Sequence, residues 1–321
     1  MKVYLGIDVG SVTTKTALLD EDDKLLYSSY CRTEGKPIVV VQRELRTLSE
    51  QLPKDAEIAG VGTTGSGRQL AGSVVGADVI KNEITAHAVA ASLYVPGVQT
   101  ILEIGGQDSK LIILRDGVVT DFAMNSVCAA GTGAFLDQQA SRLGISIQDF
   151  GPMALLSKGA VRIAGRCTVF AESDMIHKQQ MGHSIPDILN GLCEALARNY
   201  LNNLALGKEI LPPVVFQGGV AANRGIVRAF EKELKTEIMV APHHGVMGAM
   251  GAALLAHEHF ALNGHRTTQF KGFGVSDMPF ASTSFDCKAC ANLCEIVQIR
   301  MNGKVVAIWG GRCDRWESLG Q

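Results

Sequence analysis

Gly6-Ile7-Asp8-Val9-Gly10-Ser11-Val12-Thr13-Thr14-Lys15 decides how this chain is read. The apolar run before it predicts a strand over residues 3–9. The chain then turns on Gly, Ser and Thr and leaves as a second strand over 15–20. Backbone N–H groups in such a turn approach an anion closely, because Gly10 adds no side chain. The hydroxyls of Ser11, Thr13 and Thr14 add donors, and Asp8 is suited to a hydrated divalent metal. This is a phosphate hairpin, so nucleotide chemistry is the first expectation.

Outward from it, a third strand is expected over 24–31, a helix over 39–52 that stops before Pro53, and a strand over 58–63. The pattern then restarts. A strand over 100–105 runs into Gly105-Gly106-Gln107-Asp108-Ser109-Lys110, followed by strands at 111–114 and 118–125. Helices and two more strands follow, at 214–217 and 238–241. A unit of strand, glycine-rich turn, strand, turn and strand thus occurs twice, each time followed by helices. That is a duplication of structure rather than of letters. Each copy predicts a mixed sheet with helices on its faces, an α/β layer architecture, with a ligand in the cleft between copies. Expected boundaries give a first domain over 1–95, a second over 96–262 and a Cys-rich tail over 263–321.

A third turn, Gln217-Gly218-Gly219-Val220-Ala221-Ala222-Asn223, opens a helix ending near residue 234. A Gly-Gly turn at a helix N-terminus lies flat against a nucleotide and aims its dipole at phosphate. Three such turns in order, at domain-scale spacing, are a stronger signal than any one. No Gly-x4-Gly-Lys-Ser/Thr run occurs, which argues against a P-loop fold.

Composition narrows the classes. The chain has 321 residues and a net charge of −2, so neither nucleic acid nor an anionic membrane is an expected partner. The N-terminus reads as a strand with Asp8 inside it, not a signal peptide, and no transmembrane helix is expected. A cytoplasmic location is expected. Eight cysteines then point to metal or cluster ligation rather than disulfides. Cys193, flanked by leucines on a helix, reads as a core thiol, and Cys31 closes an edge strand. Glu83 and His87, four apart on a helix, read as a surface pair.

Cys128 precedes a Gly-Thr-Gly turn and a helix over 134–143 closed by Gly144. Cys167 precedes a helix over 168–181 closed by Gly182. Both thiols sit at helix N-termini, where the dipole favours a thiolate or an anionic cluster. Spacing alone leaves them as two unrelated thiols. The tail carries Cys287-x2-Cys290-x3-Cys294 and then Cys313, with a hairpin expected between the last two ligands (strands 296–301 and 305–309 around Asn302-Gly303). A structural zinc knuckle and an iron–sulfur cluster both fit.

The three turns together resemble the actin, sugar kinase and heat-shock chaperone superfamily of ATPases. Over roughly 1–258 the chain closely resembles the ATP-dependent activators of 2-hydroxyacyl-CoA dehydratases, a group including benzoyl-CoA reductase ATPase subunits and reductases of double-cubane iron–sulfur proteins. The most specific segments are Gly-Gly-Gln-Asp-Ser-Lys at 105–110, Asn-Ser-Val-Cys-Ala-Ala-Gly-Thr-Gly at 125–133 and Gly-Arg-Cys-Thr-Val-Phe-Ala-Glu-Ser at 165–173. The resemblance implies two duplicated ribonuclease H-like domains that bind ATP or ADP with Mg²⁺. Asp8 would order the metal through water. Thr13, Thr14 and Lys15 would approach the phosphates, with Gly10, Ser11, Gly105 and Gly106 lining the turns. Gln107 and Asp108 would position the attacking water or the metal. Gly218, Gly219 and Asn223 would line the adenosine side. Glu103 stands where many superfamily members carry Asp.

The resemblance further implies that Cys128 and Cys167 of two subunits hold one 4Fe-4S cluster, so a homodimer is required. ATP hydrolysis would drive an electron from that cluster to a partner iron–sulfur enzyme, resupplied by ferredoxin or flavodoxin. Shorter activators end before the Cys-rich tail, which leaves the subtype, the partner and the tail metal open. The rivals are a small-molecule kinase using Asp108 or Asp121 as base, and a non-enzymatic nucleotide-gated clamp.

Overall fold

A computed structural model of the chain describes residues 1–53, 55–125, 129–159, 161–263, 267–313 and 315–316. It divides into two compact units, Met1–Ala86 with Gly248–Gln321, and His87–Met247.

In the first unit, β1 (Lys2–Val9), β2 (Thr13–Asp20) and β3 (Leu25–Arg32) form a meander. Helix α1 (Pro37–Gln51) starts on Pro37, whose fixed φ and missing N–H suit a first helical turn. Its Ile38, Val41, Leu45 and Leu48 recur at helical spacing and are all buried. Strand β4 (Glu57–Thr64), helix α2 (Arg68–Val75) and the short β5 (Val79–Ile80) follow. The sheet order is β3-β2-β1-β4-β5, with β1 antiparallel to β2 and parallel to β4. Strand β1 is central and buried from Val3 to Val9, which explains its near-continuous apolar run. Helix α3 (Glu83–Tyr94) carries the chain from one unit into the next.

The second unit repeats the plan. Strands β6 (Thr100–Ile104), β7 (Ser109–Arg115) and β8 (Val118–Asn125) form a meander. Helices α4 (Gly133–Leu143), α5 (Ile147–Leu155), α6 (Thr168–Gln180) and α7 (Ile185–Leu204) follow, then β9 (Val214–Gln217), α8 (Arg224–Leu234) and β10 (Ile238–Val240). The order β10-β9-β6-β7-β8, with β6 antiparallel to β7 and parallel to β9, repeats the first sheet. The ring of Phe230 meets Tyr200 and Phe216 edge-on at 5.2 and 5.3 Å, tying α7, α8 and β9 into one core. The expected α/β fold with two duplicated mixed sheets is the fold observed.

Helix α9 (Met247–Asn263) returns to the first unit and lies almost on the backbone of its sheet. A Cβ on Gly6 would sit 1.8 Å from the Ala249 carbonyl oxygen, and one on Gly62 would sit 2.0 Å from that of Ala252. Only glycine permits this approach. The tail then forms a third sheet, β11 (Phe280–Asp286), β12 (Glu295–Met301) and β13 (Lys304–Trp309), in that order. Its Ile299, Met301 and Ala307, with Val275, share one apolar core with Val3, Leu5 and Leu45. Gln42 Nε2 on α1 donates to the carbonyls of Val275 (2.9 Å) and Met278 (2.8 Å). The Asp78 carboxylate accepts from Thr268 Oγ1 at 2.6 Å and from the Gln269 N–H at 2.7 Å.

The division therefore differs from three consecutive segments over 1–95, 96–262 and 263–321. The tail is built into the first unit by its own apolar side chains, and α9 belongs there through the glycines of β1 and β4. No helix among the described residues is long and apolar enough to cross a membrane.

Candidate functional site

Asp8 is the penultimate residue of β1 and stands opposite Lys15 of β2. Lys15 Nζ lies 3.0 Å from Asp8 Oδ2, over the Tyr30 ring at 5.9 Å from its centroid, with only 17% of the side chain exposed. It is therefore half of an ion pair, not a solvated strand residue. Between the two, the Gly10 N–H donates to the Thr13 carbonyl at 2.9 Å and closes the turn. Ser11 at the tip is exposed. Thr14 differs from expectation. It is fully buried and its hydroxyl pairs with Thr33 Oγ1 at 3.0 Å, so it braces the hairpin instead of facing an anion. The same Thr33 hydroxyl is 2.9 Å from the Gly10 carbonyl, tying turn to sheet.

The second hairpin repeats the plan of the first position for position. Glu103 is the penultimate residue of β6, opposite Lys110 of β7. Lys110 Nζ is 3.0 Å from Glu103 Oε2, and the Gly105 N–H donates to the Asp108 carbonyl at 3.0 Å. Glu103 thus takes the place of Asp8, Gly105 that of Gly10, and Lys110 that of Lys15. Lys110 adds a second pair, 3.0 Å from Asp108 Oδ1, and is 1% exposed. Gln107 is exposed at the tip, with Gly105 and Gly106 half-buried beside it.

The strand parallel to each acid's strand is followed by a glycine at positive φ, a conformation that glycine accommodates readily. Gly65 has φ +90° and its Cβ position is 2.5 Å from Asp8 Oδ1. Gly218 has φ +91° and its Cβ position is 2.8 Å from Glu103 Oε1. The preceding residues are also equivalent, with Thr64 paired to Asp8 and Gln217 to Glu103. Thr64 Oγ1 and Gln217 Oε1 are buried without a hydrogen-bond partner among the described residues. Carboxylates flanked by unsatisfied oxygens are hard donors, suited to a hydrated Mg²⁺. After Gly218 the chain makes a short 3-10 turn, Gly219–Ala222. Asn223 then caps α8, its Oδ1 accepting from the N–H groups of Gly225 (3.0 Å) and Ile226 (3.2 Å). Its side-chain oxygen is thus committed to the helix. His87 is buried, with Nδ1 2.9 Å from Gln217 Nε2, so it is not the surface residue its helical spacing suggested. Helical spacing put His87 on a face of α3, and that face meets Gln217 at the end of β9.

Cys128 lies outside the described residues. Cys167 is the N-cap of α6, in extended backbone and half-buried. The loop before it is pinned by α7. Asn199 Nδ2 donates to the carbonyls of Gly165 (3.1 Å) and Arg166 (2.6 Å), and Arg198 donates to Ile163 at 3.0 Å. Val169 and Phe170, in the first turn after the thiol, are 66% and 64% exposed. A thiol fixed at a helix N-terminus beside uncovered apolar side chains suits a soft metal centre at an interface.

The remaining cysteines separate. Cys193 is fully buried, and burial pushes its thiol well above the ordinary cysteine value, as expected of a core residue. Cys287 is buried and its thiol is held low, first by the Trp316 indole N–H, then by the Ala289 backbone N–H. Cys294 is half-buried, and Cys290 and Cys313 are exposed. No three metal-ligating side chains converge among the described residues. Asp121 is paired with Lys208, which holds its carboxyl below the usual range.

Sequence reading named Lys110 and Gln217 only as parts of motifs and gave no role to Thr33 and Gly65. The seven-residue step from Glu103 to Lys110, equal to that from Asp8 to Lys15, was the signal available for Lys110.

Residues 5–256 match the model of the BadF/BadG/BcrA/BcrD ATPase family. The (R)-2-hydroxyglutaryl-CoA dehydratase activating ATPase of Acidaminococcus fermentans is 37% identical over 270 residues, covering 81% of this chain and 100% of that one. The activator of lactoyl-CoA dehydratase of Anaerotignum propionicum is 38% identical over 256 residues, 79% of this chain and 97% of that one. The activator of 2-hydroxyisocaproyl-CoA dehydratase from Clostridium difficile, solved with bound ADPNP, superposes with a TM-score of 0.73 at 33% identity, covering 81% of this chain and 96% of that one.

Proposed function

Because this chain belongs to the BadF/BadG/BcrA/BcrD ATPase family, and is an ATPase of the activator type, we propose that it couples ATP hydrolysis to delivery of a low-potential electron. The acceptor is a partner iron–sulfur enzyme, a 2-hydroxyacyl-CoA dehydratase or a double-cubane protein. The turns over 8–15 and 105–110 hold the phosphates of MgATP. Asp8 and Glu103 supply hard oxygens, and Lys15 and Lys110 hold those carboxylates in place. Gln107, exposed at its tip, orients the attacking water together with Asp108. Gly218 and Gly219 present backbone to the adenosine side.

Cys128 and Cys167 from each of two chains supply four thiolates, enough for one 4Fe-4S cluster, so the active form is a homodimer. Such a cluster supplies storage for one electron, drawn from ferredoxin or flavodoxin. The chain's own residues do the rest. Asn199 and Arg198 fix the loop carrying Cys167, and the α6 N-terminus offers its dipole to the thiolate. Each ~59 mV of uphill one-electron transfer requires ~1.4 kcal/mol. A step of a few hundred millivolts therefore needs hydrolysis as its drive.

The observation that carries this reading is Cys167, placed at the start of α6 beside exposed Val169 and Phe170. A kinase reading is weaker, since both carboxylates available as base, Asp108 and Asp121, are engaged by lysines. The test is iron analysis of anaerobically purified Cys290→Ser/Cys313→Ser protein. We expect a brown dimer with about four irons per two chains, and a colourless protein when Cys167→Ser is added. A colourless parent that still hydrolyses ATP would overturn the electron-transfer reading.

A further inference from the structure

The matched family span ends at residue 256, yet four cysteines follow it. Their placement in the fold is specific. Cys287, Cys290 and Cys294 all lie in the connection between β11, which ends at Asp286, and β12, which begins at Glu295. Asp286 and Glu295 are register partners, and the Cys287 N–H donates to the Cys294 carbonyl at 2.8 Å, closing that connection into one tight loop. Inside it the Leu293 N–H donates to the Cys290 carbonyl at 3.3 Å, with Leu293 held at φ +43°. A leucine in the left-handed region is strained, and strain of this kind marks functional loops.

Strand β13 then runs back along β12, with Trp309 paired to Val297. Cys313 is four residues beyond, so the hairpin returns the fourth cysteine to the end of the sheet that carries the other three. Two close approaches hold it there. A Cβ on Gly310 would sit 2.2 Å from the Glu295 carbonyl oxygen, and the position on Gly311 is 3.1 Å from the Cys313 carbonyl. Trp316 Nε1 reaches back to Cys287 Sγ at 3.4 Å, while its ring packs edge-on against Phe285 at 5.1 Å. An N–H donor aimed at a sulfur is the outer-shell support that thiolate ligands use.

We propose that Cys287, Cys290, Cys294 and Cys313 form a four-thiolate site for a soft metal centre, zinc or an iron–sulfur cluster, at this end of the C-terminal sheet. Cys287 and Cys294 are already held by the loop and by Trp316. No three metal-ligating side chains converge there among the described residues, so metal binding would have to draw the exposed Cys290 and Cys313 inward to complete the set. The chemistry is that of a soft metal, because four sulfurs with no hard oxygen among them select it. The centre clamps the two ends of the β12–β13 hairpin, whose Ile299, Met301 and Ala307 lie in the core of the first unit. Its first consequence is therefore on the stability of that unit.

This inference does not rest on the function proposed above, and its test removes the two thiols, 128 and 167, on which that function depends. Full-length protein carrying Cys128→Ala and Cys167→Ala is purified anaerobically. Zinc, iron and acid-labile sulfide are counted, and the visible spectrum is recorded. The expected result is either about one zinc per chain and no visible absorption, or about four irons with four sulfides and a brown colour. Adding Cys290→Ser and Cys313→Ser, both at exposed positions, should cut the bound metal at least tenfold, whereas adding Cys31→Ala should leave it unchanged. Less than a tenth of a metal centre per chain in the parent, or full metal content after the two serine substitutions, would overturn the proposal.

Discussion

Replacing Lys110 with methionine should destabilise the second unit far more than a surface charge deletion does. Lys110 is 1% exposed and lies 3.0 Å from both Glu103 and Asp108. Glu103 is itself 6% exposed, so Lys110→Met keeps the buried volume but leaves a carboxylate in the core without its cation. Breaking a buried pair from one side costs about 3–5 kcal/mol. For a unit of 161 residues (87 to 247), each kcal/mol lowers the melting temperature by about 2–4 °C, which gives a drop of about 6–20 °C. Calorimetry resolves such a shift. The diagnostic step is the double variant Glu103→Gln/Lys110→Met. Removing both charges should recover much of the loss, because the penalty lies in the orphaned charge and not in the missing attraction. A drop under 2 °C for Lys110→Met, or a double variant no more stable than the single, would refute this reasoning.

Thr33→Val removes the hydroxyl that binds both Thr14 and the Gly10 carbonyl. It should lower stability by about 1–2 kcal/mol and raise the KM for ATP more than it lowers kcat, measured by steady-state ATPase assay. Gly218→Ala, at φ +91° and with its Cβ 2.3 Å from the Ile104 carbonyl oxygen, should displace the turn beside Glu103 and reduce ATPase activity at least tenfold. Asp187 has its carboxyl held far below the usual range, first by Ser184 and then by the Gly159 N–H. A depressed folded value stabilises the protein above the unfolded value and is lost as pH falls through the folded one. Asp187→Asn should therefore be less stable than the parent at pH 7, with the gap closing as the pH drops towards strong acid in paired urea titrations.

Much of this was legible before any coordinates. The Asp8 turn and the Gly105 turn each lie between apolar runs of strand length, and glycine-rich turns between such runs leave few alternatives. The repeat of the whole unit then implies two sheets of one plan, as found in the shared order of strands. What the letters hid was tertiary. Thr14 looks identical to Thr13 in the turn, but the pleat sends their side chains to opposite faces, and Thr33 claims the hydroxyl of Thr14. His87 reads as amphipathic spacing until β9 supplies Gln217. Asn223 reads as part of a nucleotide turn, although Asn before a helix is equally a cap, and here it caps. The tail looked like an appendage because the composition shifts after His257. Its Val275, Ile299 and Met301 are too sparse in sequence to announce that they finish the core of the first unit.

Coupling between nucleotide and electron is best read by following the visible absorption of dithionite-reduced protein after mixing with an iron–sulfur acceptor under strict anaerobiosis. The protein used is Cys290→Ser/Cys313→Ser, so that only thiols 128 and 167 contribute colour. With MgATP, we expect reoxidation of the reduced centre at least tenfold faster than with a non-hydrolysable analogue or with no nucleotide. Equal rates in all three mixtures would contradict the coupling of hydrolysis to electron delivery.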